Sequence, residues 1–175
     1  MNKISYCLII IFFLFFKNSH AEIIKNIDIK GNQRISKETI IVLGNISTNQ
    51  DFDDSKLNNS LKSLYDTNFF SNIEMSIDNG VLTINLVENP IIENIKITGV
   101  KNNSFVEKIS ESMILKERMS FSEDQLKKDI TFMKNIFKTN GFYFTNIKSS
   151  IVKNEKLNSI QLKLEIDQGK KAKIK

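Results

Sequence analysis

The chain has 175 residues, with 25 Lys and Arg against 20 Asp and Glu for a formal net charge of +5. The two signs are interspersed along its length, the pattern of a solvated surface and not of a nucleic-acid-binding face. It holds a single Cys, Cys7, and a single His, His20. Loss of both with an N-terminal leader excludes thiolate and imidazole catalysis, disulfides and Cys/His zinc sites together.

In chain order the first element is that leader. Lys3 starts it, an apolar run of about 13 residues follows from Ile4 to Phe16, and Ser19 and Ala21 give the small-x-small ending of a secretory cleavage site, placing the cut between Ala21 and Glu22. The run is shorter than the roughly 18–20 residues a bilayer span requires. An uncleaved anchor is the alternative, and Cys7 lies too early in the run for lipidation.

Beyond Ala21 the chain says the same thing twice. "IKNIDIKG" (Ile24–Gly31) returns as "IENIKITG" (Ile92–Gly99), and "DFDDSKLNNSLKSLYDTNFFSNI" from Asp51 returns as "SFSEDQLKKDITFMKNIFKTNGFYFTNI" from Ser120. "VLTINLVE" from Val81 is matched with "SIQLKLEI" from Ser159. A repeat of about 70–80 residues is a size at which domains fold alone with little to spare.

Each copy opens with a strand, because Ile27 and Ile29, or Ile95 and Ile97, alternate with polar residues. Gly31 and Gly99 mark the turns that follow. A first helix starts at Ser36 with Ile40 and Leu43 on one face; its counterpart starts at Ser104, with Glu107 completing a capping box. The second helix of the later copy shows Ser122 and Gln125 as a capping box and Phe121 against Leu126 as a staple, with Phe52, Asp53 and Leu57 in these roles in the first copy. Leu57, Leu61, Leu64 and Tyr65, and likewise Leu126, Ile130, Met133 and Phe137, form apolar stripes at helical spacing.

Thr67-Asn68 and Asn140-Gly141 end these helices with residues that tolerate a left-handed backbone. A strand follows at once, with Ile73, Met75 and Ile77, or Ile147, Ser149 and Ile151, as its inward row. Turns at Asp78-Asn79-Gly80 and at Asn154–Asn158 lead to the last strand, carrying Leu82, Ile84 and Leu86, or Ile160, Leu162, Leu164 and Ile166. The fold expected is α+β: two tandem β-α-α-β-β units, each a three-stranded mixed sheet covered on one face by two helices.

These residues resemble the polypeptide-transport-associated (POTRA) domains at the N-terminus of BamA-type outer-membrane barrel-assembly factors. The carriers are "IKNIDIKGNQRISKETI" (Ile24–Ile40), "LYDTNFFSNI" (Leu64–Ile73) and "LVENPIIENIKITG" (Leu86–Gly99). Asn68 stands where the family usually has glycine, a mild departure since Asn also adopts the left-handed conformation. The resemblance implies domains at 22–89 and 90–169, joined at Pro90 with almost no linker, and reads residues 170–175 as the opening of a truncated third unit.

The family further implies a periplasmic string of units attached to a C-terminal membrane barrel, absent from this chain, in a machine that folds and inserts outer-membrane proteins. The partners implied are unfolded outer-membrane proteins and other assembly-complex subunits, the periplasmic lipoproteins; nucleic acid is not among them. The physical mechanism is strand addition to an open sheet edge, where main-chain hydrogen bonds accept many client sequences. Family sheets place the last strand centrally, so the edge expected to be open is the middle strand in sequence. Its outer row is Asn72, Glu74 and Ser76 in the first copy and Asn146, Lys148 and Ser150 in the second. A TamA-type or two-partner-secretion transporter, or an anchored cell-division protein with a similar domain, is the alternative.

Other features have ordinary readings. "DFDDSK" (Asp51–Lys56) lacks the spacing and glycine of a calcium loop and suits a helix start. The tail lysines Lys170, Lys171, Lys173 and Lys175 alternate with Ala172 and Ile174 as a strand would. Phe69, Phe70, Phe142, Tyr143 and Phe144 lie between helix and strand, where residues close a core, with room for one exposed aromatic per unit. No nucleophile has a base at a motif spacing, so no enzyme and no cofactor or metal is expected.

Overall fold

A computed structural model describes residues 22–172. The leader through Ala21, and the tail from Lys173 on, lie outside the described residues, so the cleavage expectation and half of the third-unit expectation do as well. Cα proximity divides the chain into two compact units, one holding residues up to Leu64 with Ile73–Leu86, the other Tyr65–Asn72 with Val87 onwards.

The first copy contains strands β1 (Glu22–Ile23) and β2 (Asn26–Lys30), helix α1 (Lys37–Leu43), strand β3 (Asp51–Phe52), helix α2 (Asp54–Asp66), and strands β4 (Phe70–Asp78) and β5 (Val81–Glu88). The second contains β6 (Ile91–Thr98), α3 (Asn103–Ser112), α4 (Glu123–Thr139), β7 (Asn146–Asn154) and β8 (Ser159–Asp167). Each copy forms a three-stranded sheet with its last strand in the centre, β2-β5-β4 and β6-β8-β7. The first strand runs parallel to the central one, as a crossover through helices allows. β7 pairs antiparallel with β8 across the hairpin.

The central position of the last strand follows from its composition. Its inward row, Leu82, Ile84 and Leu86 or Ile160, Leu162, Leu164 and Ile166, is buried throughout, whereas the flanking strands are polar at their outer residues. In the second copy these residues join Ile92, Ile109, Leu126, Met133 and Phe137 in one core, with the Phe137 ring edge-on to Phe105 at 5.4 Å and to Phe142 at 6.3 Å. Such pairs add a little beyond the area they bury.

Two glycines hold equivalent places. Gly31 and Gly99 both have φ +90°, and a Cβ there would lie 1.9 Å from the Leu86 carbonyl oxygen or 2.0 Å from that of Ile166. The turn therefore crosses the end of the central strand too closely for any side chain. This correspondence also corrects the sequence match of the last strands: Leu86 is equivalent to Ile166, so Val81 aligns with Gln161 and not with Ser159. The longer β7–β8 hairpin, closed at Asn158, takes up the difference.

The caps are partly as expected. Ser36 Oγ accepts from the Thr39 N–H at 3.2 Å, Asp53 Oδ1 from Lys56 N–H at 2.8 Å, and Ser122 Oγ from Gln125 N–H at 3.5 Å. The cap of α3 is instead Asn102, whose Oδ1 accepts from Phe105 N–H at 3.2 Å, and Ser104 merely donates its hydroxyl to that same oxygen. Asn is as good a cap as Ser, and taking it moves the cap two residues earlier than expected, leaving Glu107 exposed. At α4 the return half of the box is not made: Gln125 Oε1 is buried without a hydrogen-bond partner.

The stripes are correct in direction but not in weight. Leu64, Leu126, Met133 and Phe137 are buried, Leu57, Leu61 and Ile130 only half-buried, and Tyr65 is exposed. The sequences align from the cap at Leu57 and Leu126, yet from the helix end at Asn68 and Gly141, both left-handed with φ 59° and 90°. α4 is thus one turn longer than α2. Phe137 sits on that extra turn and Tyr65 has no inward counterpart.

Candidate strand-addition edge

A sheet of three strands has two edges, and the question is which can accept another strand. At the β6 edge the outer groups of the first part of the strand, Ile91–Ile95, have partners. Ile92 N–H donates to the Met119 carbonyl at 2.9 Å, Arg118 N–H donates to the Ile92 carbonyl at 2.8 Å, Ile91 bridges Ser120, and Ile95 N–H donates to the Glu117 carboxylate at 3.4 Å. The first copy repeats the arrangement, with Ile24 N–H donating to the Gln50 carbonyl, Asn49 N–H donating to that of Ile24, and β1 paired with β3. Sequence periodicity cannot register these pairings, because they involve two-residue strands with no pattern of their own.

The segment that covers β6 is held by a residue the sequence reading passed over. Asp129 on α4 is buried, and its two carboxylate oxygens accept from the Ile114 and Leu115 N–H groups at 2.6 and 2.9 Å. The signal for it was present: an acid on the core-facing stripe of a helix, between Leu126 and Met133. Lys116 Nζ, on the same segment, donates to the Glu111 carbonyl at the end of α3 at 2.7 Å.

β7 is different. Of its nine residues only Ile147 is buried, because the helix layer covers the start of the strand and no more. Ser149, Ile151 and Lys153 follow Ile147 on the inward row and are all exposed, although they stand opposite buried Leu164, Leu162 and Ile160. Among the described residues, none outside the sheet donates to or accepts from the backbone of Asn146–Asn154. At the hairpin end a cleft of about 400 Å³ has Phe121, Glu123, Ile151, Lys153 and Ile160 among its walls.

The expected outer-row residues fall into two groups. Asn146, Lys148 and Ser150 are exposed on β7, on the sheet face away from the helices, in register with Asp167, Glu165 and Lys163. There Glu165 is bonded to Lys163, and this bond, with the nearby Lys148 charge, holds its carboxyl below the ordinary value. Asn72, Glu74 and Ser76 are likewise exposed on β4, an edge strand too, but its inward row of Ile73, Met75 and Ile77 is buried or half-buried. Each row belongs to its own sheet.

The aromatic group divides. Phe70 is buried and Phe69 and Phe142 are half-buried, as core residues, whereas Tyr143 and Phe144 are both exposed, one more than expected. Lys170–Ala172 forms no strand; Ala172 N–H donates to the Gly141 carbonyl at 2.9 Å. No helix among the described residues is long and apolar enough to cross a membrane.

Each copy thus has the same three-stranded order with its last strand in the centre, and the residues that open its first strand are covered by other backbone. The chain belongs to the POTRA family, described as surface antigen variable number repeat, whose model matches residues 22–89 and 90–169. In sequence it is 27% identical over 157 residues to the outer membrane protein assembly factor BamA of Neorickettsia risticii, covering 89% of this chain and 21% of that protein. Identity to BamA of Neisseria meningitidis serogroup B is 28% over 153 residues, covering 86% and 19%. The chain therefore spans about a fifth of the length of these relatives.

Among solved structures it shares its fold with the N-terminal domain of Omp85 from Thermosynechococcus elongatus, at TM-score 0.57 and 12% identity over 84% of this chain and 63% of that one. It also shares it with POTRA domains 3–5 of Haemophilus influenzae BamA, at TM-score 0.54 and 14% identity over 90% and 70%.

Proposed function

We propose that the chain supplies exported, periplasmic domains of an outer-membrane barrel-assembly factor, divided at Asn89–Pro90 and released from a leader cut between Ala21 and Glu22. Unfolded outer-membrane proteins, or partner subunits of the periplasmic lipoprotein kind, would bind it as an added strand on β7. The observation that carries this reading is the contrast between edges: among the described residues, the Ile91–Ile95 part of β6 is covered by backbone contacts from residues 118–120 and by the Glu117 carboxylate, while β7 has neither helix nor strand on its outer side. Likeness to relatives named as outer membrane protein assembly factors supports the client class. Strands of membrane barrels alternate apolar and polar residues, and such a strand laid on β7 would place its apolar row beside Ile151 and its polar row beside Lys148 and Ser150.

An antiparallel ladder fixes the test. Alternate residues of β7 turn their N–H groups toward β8 and the others outward, so of Ser149→Pro and Ser150→Pro one removes an outward donor and the other a ladder bond. The variant that keeps the parent's thermal melt is expected to bind an alternating ten-residue peptide at least tenfold more weakly, and Lys148→Gln is expected to bind it nearly unchanged. Parental affinity in the proline variant that melts normally refutes strand addition at β7.

A further inference from the structure

The leader cut on which the proposed function rests, between Ala21 and Glu22, adjoins folded structure with no spacer. The first residues of a domain are usually loose unless something ties them down, and here the tying starts at the first of them. Glu22 and Ile23 pair with Phe52 and Asp51, and the Glu22 carboxylate accepts from Gly80 N–H. Ile24 is fully buried; its N–H donates to the Gln50 carbonyl at 3.2 Å and its carbonyl accepts from Asn49 N–H at 2.7 Å. The Lys25 and Asn26 N–H groups both donate to the Gly80 carbonyl.

The second copy makes the same closure with its peptide bond intact. Ile92 is the equivalent of Ile24, so Asn89–Pro90 occupies the place of Ala21–Glu22. There the chain runs straight through, and Ile92 is still fully buried, with the Met119 carbonyl and Arg118 N–H in the roles of Gln50 and Asn49. The fold can therefore close on an uncut chain. On the other side of the bond only Lys17–Ala21, five residues, separate the apolar run from Glu22, which is about 17 Å at full extension. A protease acts on the population in which its target segment has opened, so a bond held this close to paired backbone is shielded by the fold.

We propose that the leader is removed before β1 and β2 lock into the first domain, and that the folded precursor is a poor substrate for the membrane-bound leader peptidase. The reaction is a hydrolysis: water adds across the Ala21–Glu22 amide, leaving a carboxylate on Ala21 and an ammonium on Glu22, with nucleophile and base supplied by the peptidase. Sequence distance sets the interval open to it. Glu22 and Gly80 are 58 residues apart, and β2 pairs with β5 beyond Gly80. Neither contact forms until that length of chain has been exported, and during that time the bond lies in an open chain.

The test uses the full chain with its leader in detergent micelles. It is diluted from urea into buffer, and purified leader peptidase is added either at the moment of dilution or after refolding is complete. The refolded precursor is expected to be cut at least tenfold more slowly than the freshly diluted one. A variant with Glu-Ser-Gly-Ser inserted between Ala21 and Glu22 keeps an Ala–Glu bond but sets it away from β1, and its two rates should agree. Equal rates for the two additions to the parent overturn the proposal. So does a spacer variant slowed as much as the parent, which would place the obstruction elsewhere than at β1. If N-terminal sequencing shows that the freshly diluted chain is not cut before Glu22, the leader reading itself fails and the proposal with it.

Discussion

Replacing Asp129 by Leu keeps the volume of the side chain and removes both acceptors from a site that water does not reach. The Ile114 and Leu115 N–H groups, now held at 2.6 and 2.9 Å, would be left without partners next to fully buried Leu115. An orphaned buried donor costs about 1–3 kcal/mol, so the pair should cost about 2–6 kcal/mol, a large part of the ~5–15 kcal/mol that holds a domain folded. Asp129→Asn keeps one acceptor and should lose about half as much. Urea unfolding gives the stability change, and amide exchange gives its location: protection should fall first at Ile114 and Leu115, then at Ile92 and Ile95, whose bonds depend on Met119 and Glu117 of the same segment. A loss under about 1 kcal/mol with Leu115 still protected would refute the clamp.

The remaining expectations follow from packing and charge. Gly99→Ala places a Cβ 2.0 Å from a backbone oxygen at φ +90°, so a loss of about 3 kcal/mol or more in urea unfolding is expected, and parental stability would mean the turn can move away. Phe137→Ala should cost about 3–5 kcal/mol and half-buried Ile130→Ala distinctly less; the reverse order in thermal melts would place the core elsewhere on α4. Glu93 is held below its ordinary carboxyl value of 4.5, first by the Ser159 hydroxyl and then by Gln161, and Glu38 by backbone N–H and then by Ser36. Depressed carboxyls stabilise the fold above the unfolded value and lose that contribution as pH falls through the folded one. Melting temperature should therefore drop as pH is lowered from 4.5, and Glu93→Gln should flatten that drop; a slope identical to the parent would contradict it.

What the sequence determined by itself was whatever repeats locally. The period-two rows of β5 and β8, the helical stripes, the caps at Ser36, Asp53 and Ser122, and the left-handed exits at Asn68 and Gly141 all depend on neighbours within a few residues, and their being written twice fixes the unit. Even Asn68, which is not a glycine, adopts the positive φ of this helix exit. Tertiary structure decided what depends on residues far apart. Whether Ser149, Ile151 and Lys153 face a covered core or solvent is set by how far α4 reaches across the sheet, and nothing in the alternation of β7 contains that distance. Whether β6 or β7 is the more open edge is set by the backbone of residues 118–120 and the Glu117 carboxylate, which follow no periodic pattern in the sequence. Asp129 belongs to the same class: on a helix wheel it is an acid out of place, and only the fold brings it within hydrogen-bond reach of two N–H groups fourteen and fifteen residues earlier.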